Sequence, residues 1–539
     1  KSFSPMISKA LIKSNQSNEK GGGIDYDELN SIAILKNSDI LSNSSQFGGG
    51  IAQEGNTLKI TNVRFKENSA TQGGGLFTFD NNPVTEIYSS SFSMNSASNG
   101  GGGMFTYYTS ITCENTKFSH NSGFEGGGIQ IYEGSMQLDS LEIIGNLASK
   151  GGGLFLSGVN GDLKNTLFLN NTANSGGGLY VVNMDNAIDA ENLKIVENVA
   201  TGNGGGAYLY YCRINFTETL IVNNTANTGG AIFVPEGTES VFSNTTVYGN
   251  SSQGINGLHL DPTNVSNSAS FSITVQSSNI SNGGYGIKND SQDMQTATNN
   301  YWGHSSGPYH PTQNPSGEGD SVNILVNVTP WLITPNTDAP PIPAQNTTVT
   351  GTGNDFISLD WDASELGDLA GYKLYYDSDE SGYPYENSVD VSNVTSYTLS
   401  GLSLGTTFYL AVTTYDTDGN ESWYSNEVSG VTRVMQAQSL DIGGDEDVLH
   451  LITHTPTITF GYYDSMNETQ TSYQVQVSTQ SDYSSADMWD SGEVTSSDTS
   501  VTYAGTTLAD GVTYYVRAKV GAGSFYSNWS TLTFRMNTE

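Results

Sequence analysis

The clearest pattern along the chain is a glycine triplet followed by alternating apolar and polar residues. Eight triplets recur at intervals of 25 to 28 residues, and a ninth copy has degenerated to Gly229-Gly230-Ala231. Their first residues are Gly21, Gly48, Gly73, Gly101, Gly126, Gly151, Gly176 and Gly204. Between triplets, an apolar residue is followed three positions later by asparagine, as in Phe168 and Asn171. So regular a repeat predicts a stack of equivalent structural units.

A repeat of this length without a helical pattern predicts one coil of a parallel β-helix, built from two or three short strands. We expect an all-β fold whose first part stacks about 11–13 such coils. The third position after each first glycine is always apolar, as in Leu154 and Leu179, and should face the core. The repeated asparagines should form an internal ladder in which each amide bonds to the asparagines above and below.

The pairing of a Gly-Gly-Gly/Ala-aliphatic motif with a Phe-x-x-Asn motif resembles the repeats of chlamydial polymorphic outer membrane proteins. The clearest matches are Gly176 to Leu179, Gly229 to Ile232, and Phe168 with Asn171. The resemblance covers roughly residues 10 to 260. It implies surface display and adhesion, although no β-barrel translocator segment follows here.

The repeats fade after Gly254 and are followed by a segment rich in Trp and Pro, about residues 290–335. This segment, with Trp302 and Trp331, is similar to the C-terminal caps of many secreted bacterial right-handed β-helix proteins. We therefore predict a capped, right-handed β-helix over residues 1–335. Because prolines stiffen a chain, residues 336–345 should form an extended spacer.

Two β-sandwiches should follow the spacer. Residues 346–433 alternate with a period of two between turn signals and resemble a bacterial fibronectin type III domain, with Trp361 and the Tyr409 strand as its markers. Residues 434–539 look like a second module of the fibronectin or immunoglobulin type. In those families such modules are spacers and carry no catalytic residues.

Charge and composition narrow the function. The formal net charge is −36, which opposes binding to nucleic acid or to anionic bilayers. No apolar window is long enough for direct insertion into a membrane, and the first residues lack a signal peptide, so we read the chain as a mature or trimmed piece. Charged residues are only 14% of the chain, and solubility that comes largely from Ser, Thr, Asn and Gly is typical of an extracellular or cell-surface protein. Cys113 and Cys212 lie four coils apart, too far for a disulfide.

The most informative candidate site is a stripe of aromatic residues four and six positions after each first glycine. Strand alternation turns these positions away from the core, so we expect exposed rings. The stripe residues are Phe77, Phe105, Tyr107, Tyr132, Phe155, Tyr180, Tyr208, Tyr210 and Phe233. Such rings suit a polysaccharide or a cell-surface glycan. The alternative is that they stack on one another and stabilise the sheet, or are covered by a neighbouring domain or subunit.

Catalytic and metal sites have less specific signals. Asp80 and Glu133 occupy equivalent positions two coils apart, about 9.6 Å, a spacing that an inverting glycosidase could use. The stripe positions hold no lysine or arginine, which disfavours a lyase acting on polyanions. Asp377 and Asp379 begin like a calcium loop, but the twelfth position is Ser388, which favours a hairpin turn.

The remaining titratable residues add no site in this reading. None of the six histidines pairs by register with another titratable group on a neighbouring coil. No cofactor is expected, with calcium the only one kept open, as a bridge to acidic glycans.

The sequence favours a secreted, non-catalytic rod for adhesion, glycan binding or extracellular scaffolding. The alternatives are a carbohydrate-active hydrolase or lyase with its site on the aromatic stripe, and a subunit of an extracellular filament. Expected partners are a glycan, other copies of the chain or other surface proteins.

Overall fold

The computed structural model describes residues 5–27, 32–55, 57–79, 83–184, 186–262, 272–443 and 451–537. These ranges contain strands, turns and bends but no α-helix, and no helix that could span a membrane is found in them. The chain divides into two compact units. The first contains residues 1–342, 364–369 and 414–423, and the second contains the rest.

The first unit is a parallel β-solenoid of about 11 turns, as the repeat predicted. Each coil has three main faces, and we number them from the glycine triplet onward. Strands of the first face are Ile24–Tyr26, Ile51–Glu54, Leu76–Phe79, Leu179–Val182, Ala207–Tyr210, Ile232–Glu236, Leu258–Leu260 and Tyr285–Asn289. Three strands continue from the first face into the second, namely Met104–Glu114, Ile129–Asp139 and Leu154–Lys164.

The second face adds Met6–Ser8, Val84–Tyr88, Ala187–Glu191, Arg213–Thr217, Glu239–Ser243, Ser272–Gln276, Gln295–Thr298 and Val326–Asn327. Ile32–Leu41 and Thr57–Lys66 run from the second face into the third. The third face adds Leu11–Lys13, Ser91–Ser93, Lys117–Ser119, Glu142–Ile144, Leu167–Leu169, Lys194–Val196, Leu220–Val222, Thr246–Tyr248 and Asn279–Ser281. Short strands beside the third face are Ser69–Ala70, Ser96–Ala97, Thr172–Ser175, Val199–Asn203, Thr225–Ala226 and Ser251–Ser252, and the closing strands are Pro308–Tyr309 and Gly319–Val322.

Coils stack in register, so equivalent residues lie directly above one another. Phe92 pairs with Phe65 on one side and with Phe118 on the other. Their rings stack in the core with centroids 4.3 and 4.7 Å apart. The predicted inward position after each triplet is buried throughout the middle coils, as Leu154 and Leu179 show.

The glycine triplet is required by backbone geometry. Gly176 has a φ of 64°, which a side chain would strain. A Cβ atom on Gly177 would lie 2.4 Å from the carbonyl oxygen of Gly205 on the next coil. The triplet therefore allows the tight bend before the first face and the close approach of successive coils.

The internal asparagine ladder is confirmed. The Asn146 side-chain amide donates to Asn171 Oδ1 at 2.9 Å and to the carbonyl of Phe118 at 2.9 Å. Its own Oδ1 accepts the backbone N–H and the side-chain amide of Asn121. All amides point the same way along the solenoid, so each coil hydrogen-bonds to the next through both backbone and side chain.

The ladder ends on an acid rather than on another amide. Asn282 is its last asparagine, and the Asn282 backbone N–H donates to Asp320 at 2.6 Å. Asp320 also accepts from the backbone N–H groups of Gly283 and Gly284. Burial raises the pKa of Asp320, although these hydrogen bonds act in the opposite direction. Asp320 thus accepts the hydrogen bonds of N–H groups for which the ladder provides no further asparagine.

The segment after the cap lies against the solenoid. We expected residues 336–345 to form a stiff, extended spacer, and Asn336 in it hydrogen-bonds to Asn279 and to the carbonyl of Ser277. The cap prediction for Trp302 fits its position, since its side chain is fully buried in the solenoid core. Proline content alone indicated stiffness and could not show what the segment lies against.

The second unit contains most of two β-sandwiches. The first sandwich is built from Thr348–Thr352, Phe356–Asp360, Leu369–Asp377, Asn387–Ser392, Ser396–Ser400, Thr407–Asp416 and Val428–Val431. The second is built from Met435–Ile442, Thr457–Asp464, Ser472–Ser478, Trp489–Asp490, Ser500–Thr502, Thr513–Ala522, Phe525–Tyr526 and Ser530–Arg535. Between them, the buried guanidinium of Arg433 donates two hydrogen bonds to Asp464, at 2.8 and 2.7 Å. This ion pair holds the pKa of Asp464 below its ordinary value.

The two cysteines lie in the solenoid interior as free thiols, fully buried. Burial raises the pKa of Cys113 and of Cys212 to about 12. Both are therefore neutral at physiological pH and pack as small apolar side chains.

Removing one rung of the ladder should destabilise the solenoid strongly. In Asn146→Ala, the buried backbone and side-chain N–H groups of Asn121 lose their acceptor and the carbonyl of Phe118 loses its donor, and each unsatisfied buried group costs about 1–3 kcal/mol. We expect a loss of at least about 3 kcal/mol in the free energy of unfolding, measured by urea denaturation. Asn227→Ala, at an exposed position, should change it by less than about 0.5 kcal/mol. Equal effects of both substitutions would contradict the ladder.

Candidate functional site

The aromatic stripe forms a stacked row on the outside of the first face. Phe77 and Phe105 are register partners whose rings stack with centroids 5.4 Å apart and planes 7° from parallel. Tyr180 stacks in the same way on Phe155, at 5.3 Å, and on Tyr208, at 4.6 Å. The rings therefore turn their faces toward one another along the solenoid axis.

The expectation that these rings are exposed is wrong for five of the nine residues. Phe77, Phe105, Phe155, Tyr180 and Phe233 are between 1% and 8% exposed, although they belong to no part of the interior core. Strand alternation correctly placed them outside the core but could not show that parallel rings cover one another. Half-buried positions remain at Tyr107, Tyr132, Tyr208 and Tyr210.

A polar position divides the stripe into two clusters. Gln130 takes the place of an aromatic residue between Phe105 and Phe155 and is 2% exposed. Glu125 accepts hydrogen bonds there from the Gln130 amide at 3.0 Å and from the Tyr132 hydroxyl at 3.2 Å. Burial raises the pKa of Tyr132 to about 12, so this hydroxyl remains a donor at neutral pH.

The cluster on the N-terminal side of Gln130 borders an open cleft of about 330 Å³. Its lining is mostly apolar and comes from Lys20, Phe47, Gln72, Phe77, Phe79, Phe105 and Tyr107. Of the predicted stripe, the cleft gathers Phe77, Phe105 and Tyr107. Phe79 and Tyr107 are half-buried and present ring surface at its edge. The size falls within the range of small-molecule sites in proteins.

Sequence reasoning missed one wall of this cleft. Lys20, Phe47 and Gln72 each directly precede a glycine triplet, and they pair with one another in register. The bend at the triplet turns this row toward the aromatic row of the first face. The sequence signal that could have identified these three residues is their shared position immediately before a triplet.

The same row places two basic residues near the stripe. None follows the triplets at the stripe positions, but Lys20 lines the cleft and Lys150 lies 5.7 Å from the ring centroid of Tyr180. Both are neutralised locally, since Lys20 pairs with Glu54 and Lys150 pairs with Glu125. The cleft edge is therefore polar without a strong charge of either sign.

The predicted catalytic acids are not brought together in the described residues. Asp80 lies outside those residues, and Glu133 is half-buried with a φ of 54°. The acid pair stays a prediction.

The histidine prediction is wrong at one position. His259 continues the aromatic row beyond Phe233, and its Nε2 lies 3.1 Å from the Asp290 carboxylate on the next coil. Burial lowers the pKa of His259, so the ring is held mainly in its neutral form.

The possible calcium loop is a turn stabilised by its own aspartate. Asp377 accepts the backbone N–H of Ser378 at 2.6 Å and of Glu386 at 3.3 Å. A hydrogen bond shared with Asp379 lowers the pKa of Asp377 and raises that of Asp379. Across the described ranges, no group of three or more His, Cys, Asp or Glu side chains is placed to hold a metal ion.

Because the stripe is packed rather than exposed, truncating one of its rings should destabilise the solenoid. Tyr180 is 8% exposed and stacks on two neighbours, so Tyr180→Ala should cost roughly 3 kcal/mol, close to the effect of Phe168→Ala in the core. The control Tyr309→Ala, at a side chain 43% exposed, should cost less than about 1 kcal/mol. Thermal unfolding of the three variants measures this, and a Tyr180→Ala variant as stable as Tyr309→Ala would refute the packing.

Comparisons with known proteins concern mainly the second part of the chain. Residues 340–431 match the fibronectin type III domain, and residues 437–537 match the Rha78A-like, N-terminal immunoglobulin domain. A two-domain fibronectin type III segment of chicken tenascin is 18% identical and covers 36% of this chain and 98% of its own, with a TM-score of 0.17. A fibronectin type III domain of human fibronectin type III domain containing protein 3 is 24% identical and covers 17% of this chain and 87% of its own, with a TM-score of 0.16.

One curated relative matches part of the chain. A Kelch domain-containing protein of Saccharolobus solfataricus is 32% identical over 126 residues, which span 23% of this chain and 16% of that protein. The resemblance of the repeats to chlamydial polymorphic outer membrane proteins is not supported by these matches. The chain is thus a β-solenoid followed by a fibronectin type III domain and an immunoglobulin-like domain, an arrangement that fits an extracellular structural or adhesion role.

Proposed function

We propose that this protein is a non-catalytic extracellular or cell-surface rod that binds an uncharged glycan in the cleft beside Phe79 and Tyr107. The observation that carries the proposal is the cleft itself, an open apolar concavity with half-buried aromatic rings at its edge. Sugars present apolar C–H surfaces that pack on such rings, and hydroxyl groups that need polar partners nearby. Gln72 and the Lys20–Glu54 pair supply those partners.

Charge supports an uncharged ligand. The chain carries 19 basic and 55 acidic residues, so its field repels polyanions at physiological pH. The lysine that lines the cleft is already paired with Glu54. An acidic glycan would therefore need a bridging cation such as calcium, whereas a neutral glycan binds without one.

The packing of the stripe limits where a glycan can bind. Rings such as Phe155 and Tyr180 cover one another's faces and leave no face free for a sugar. Binding is therefore proposed for the open cleft alone, and the rest of the stripe stabilises the first face. We therefore assign a stabilising role to most of the stripe and a binding role to its N-terminal end.

The test is a titration with soluble neutral oligosaccharides, followed by tyrosine fluorescence or calorimetry, after a glycan array has identified a binder. In the double variant Phe79→Ala/Tyr107→Ala, two ring contacts are lost, each worth about 0.5–1.5 kcal/mol, so affinity should fall roughly tenfold or more. The control Tyr309→Ala removes an aromatic side chain in the cap and should bind as the parent does.

Two results would contradict the proposal. Unchanged affinity of a folded double variant would show that the cleft is not the site. Release of new reducing ends from the bound glycan would show that the protein is a hydrolase. Chelation of calcium should leave the binding of a neutral glycan unchanged.

A further inference from the structure

A second groove runs along the bend between the second and third faces, and we call it the turn groove. Its floor is a row of residues with positive φ, one per coil, and its edge is formed by residues two positions further on. The floor row begins with Lys9, Asn37, Asn62, Ser89, Asn115 and Ser140. The edge row begins with Leu11, Asp39, Arg64, Ser91, Lys117 and Glu142. Over these first coils the groove is open and has a volume of about 890 Å³.

The edge row continues in unbroken register to the other end of the solenoid. Glu142 pairs with Leu167, and the row then passes through Lys194 and Leu220. It ends at Thr246 and Asn279. The same row of register partners therefore forms the edge of the turn groove at both of its ends.

The far end is occupied by the chain's own segment 330–342. The Asn336 backbone N–H donates to Asn279 Oδ1 at 2.7 Å, and the Asn279 amide donates to the Asn336 carbonyl at 3.1 Å. The Asn336 side chain donates to the floor-row carbonyl of Ser277 at 2.7 Å. Thr246 donates its hydroxyl to the carbonyl of Pro340 at 2.5 Å. An irregular, proline-containing peptide thus lies in this groove, held through its backbone and one amide.

Burial shows the difference between the two ends. At the covered end, Thr246 and Asn279 are 0% and 1% exposed. At the open end, the side chains of Arg64 and Lys117 are 52% and 45% exposed. The same row is therefore completed by a peptide at one end and left open at the other.

The open end also differs in charge from the rest of the protein. Lys9, Arg64 and Lys117 line it. Arg64 pairs with Asp39 and Lys117 pairs with Glu142, so these five side chains together carry one net positive charge. The protein as a whole has 55 acidic and 19 basic residues, so this balance is unusual for it. The bound segment 330–342 contains four prolines and one aspartate, with no lysine or arginine.

We propose that the open end of the turn groove is a binding site for an irregular, proline-rich peptide segment with acidic side chains, of the same kind as segment 330–342. Polar side chains of the edge row and backbone carbonyls of the floor row bond to the peptide, as the Asn279 and Thr246 side chains and the Ser277 carbonyl do at the covered end. Arg64 and Lys117 attract the acidic side chains of the peptide. This site is separate from the aromatic cleft and does not depend on it.

The probe is a fluorescently labelled synthetic peptide with the sequence of residues 330–342, titrated into the full chain and followed by anisotropy. Saturable binding is expected. In Arg64→Gln/Lys117→Gln, affinity should fall at least fivefold, and raising the salt concentration should weaken binding to the parent. The matched control Lys164→Gln/Arg213→Gln makes the same charge change on the second face and should bind the peptide as the parent does.

A further variant distinguishes the two ends of the groove. Asn279→Ala loosens the chain's own segment, so a peptide that replaces this segment would bind this variant more tightly. The proposal expects no change. It is overturned by an absence of saturable binding, by tighter binding to Asn279→Ala together with no effect of Arg64→Gln/Lys117→Gln, or by displacement of the peptide by a neutral oligosaccharide. Unchanged thermal unfolding of Arg64→Gln/Lys117→Gln and of its control shows that these substitutions act on binding and not on folding.

Discussion

The structure depends on the register between successive coils, which the asparagine ladder and the glycine triplets enforce together. Each ladder amide bonds to the next coil through both its side chain and the backbone, and each triplet lets the coils approach closely. A shift by one residue would separate the ladder amides from their partners and turn the core residues outward. Because register is fixed, side chains at equivalent positions form continuous rows. Both candidate binding surfaces are consequences of those rows.

The repeat made the solenoid predictable from the sequence, because register converts a periodic pattern into rows of neighbours. Asn146 and Phe168 occupy the expected positions, and two β-sandwich domains follow the solenoid, as the strand patterns indicated. The burial of Tyr180 was not predictable in this way. Strand alternation states which side of a sheet a residue occupies, but the parallel stacking of neighbouring rings depends on side-chain packing.

Other features lay beyond the reach of the repeat because they depend on its bends and its ends. Lys20 and Phe47 reach the cleft only because the chain turns at the next triplet. Asp320 accepts the last ladder donors after the regular spacing has ended, so no periodic signal indicated it. The docking of Asn336 joins residues 57 positions apart through irregular backbone. In each case the contact is set by tertiary geometry that local pattern does not encode.

The proposed glycan-binding surface is limited to one cleft on the first coils and does not follow the whole stripe. The direct measurement is affinity against chain length for a homologous series of a neutral oligosaccharide, determined by calorimetry. Affinity should rise over the first few sugar units and then reach a plateau, because the cleft of about 330 Å³ is filled. A continued rise with every added unit would show that the glycan runs along the stripe, which would contradict the packing of Phe155 and Tyr180 described above.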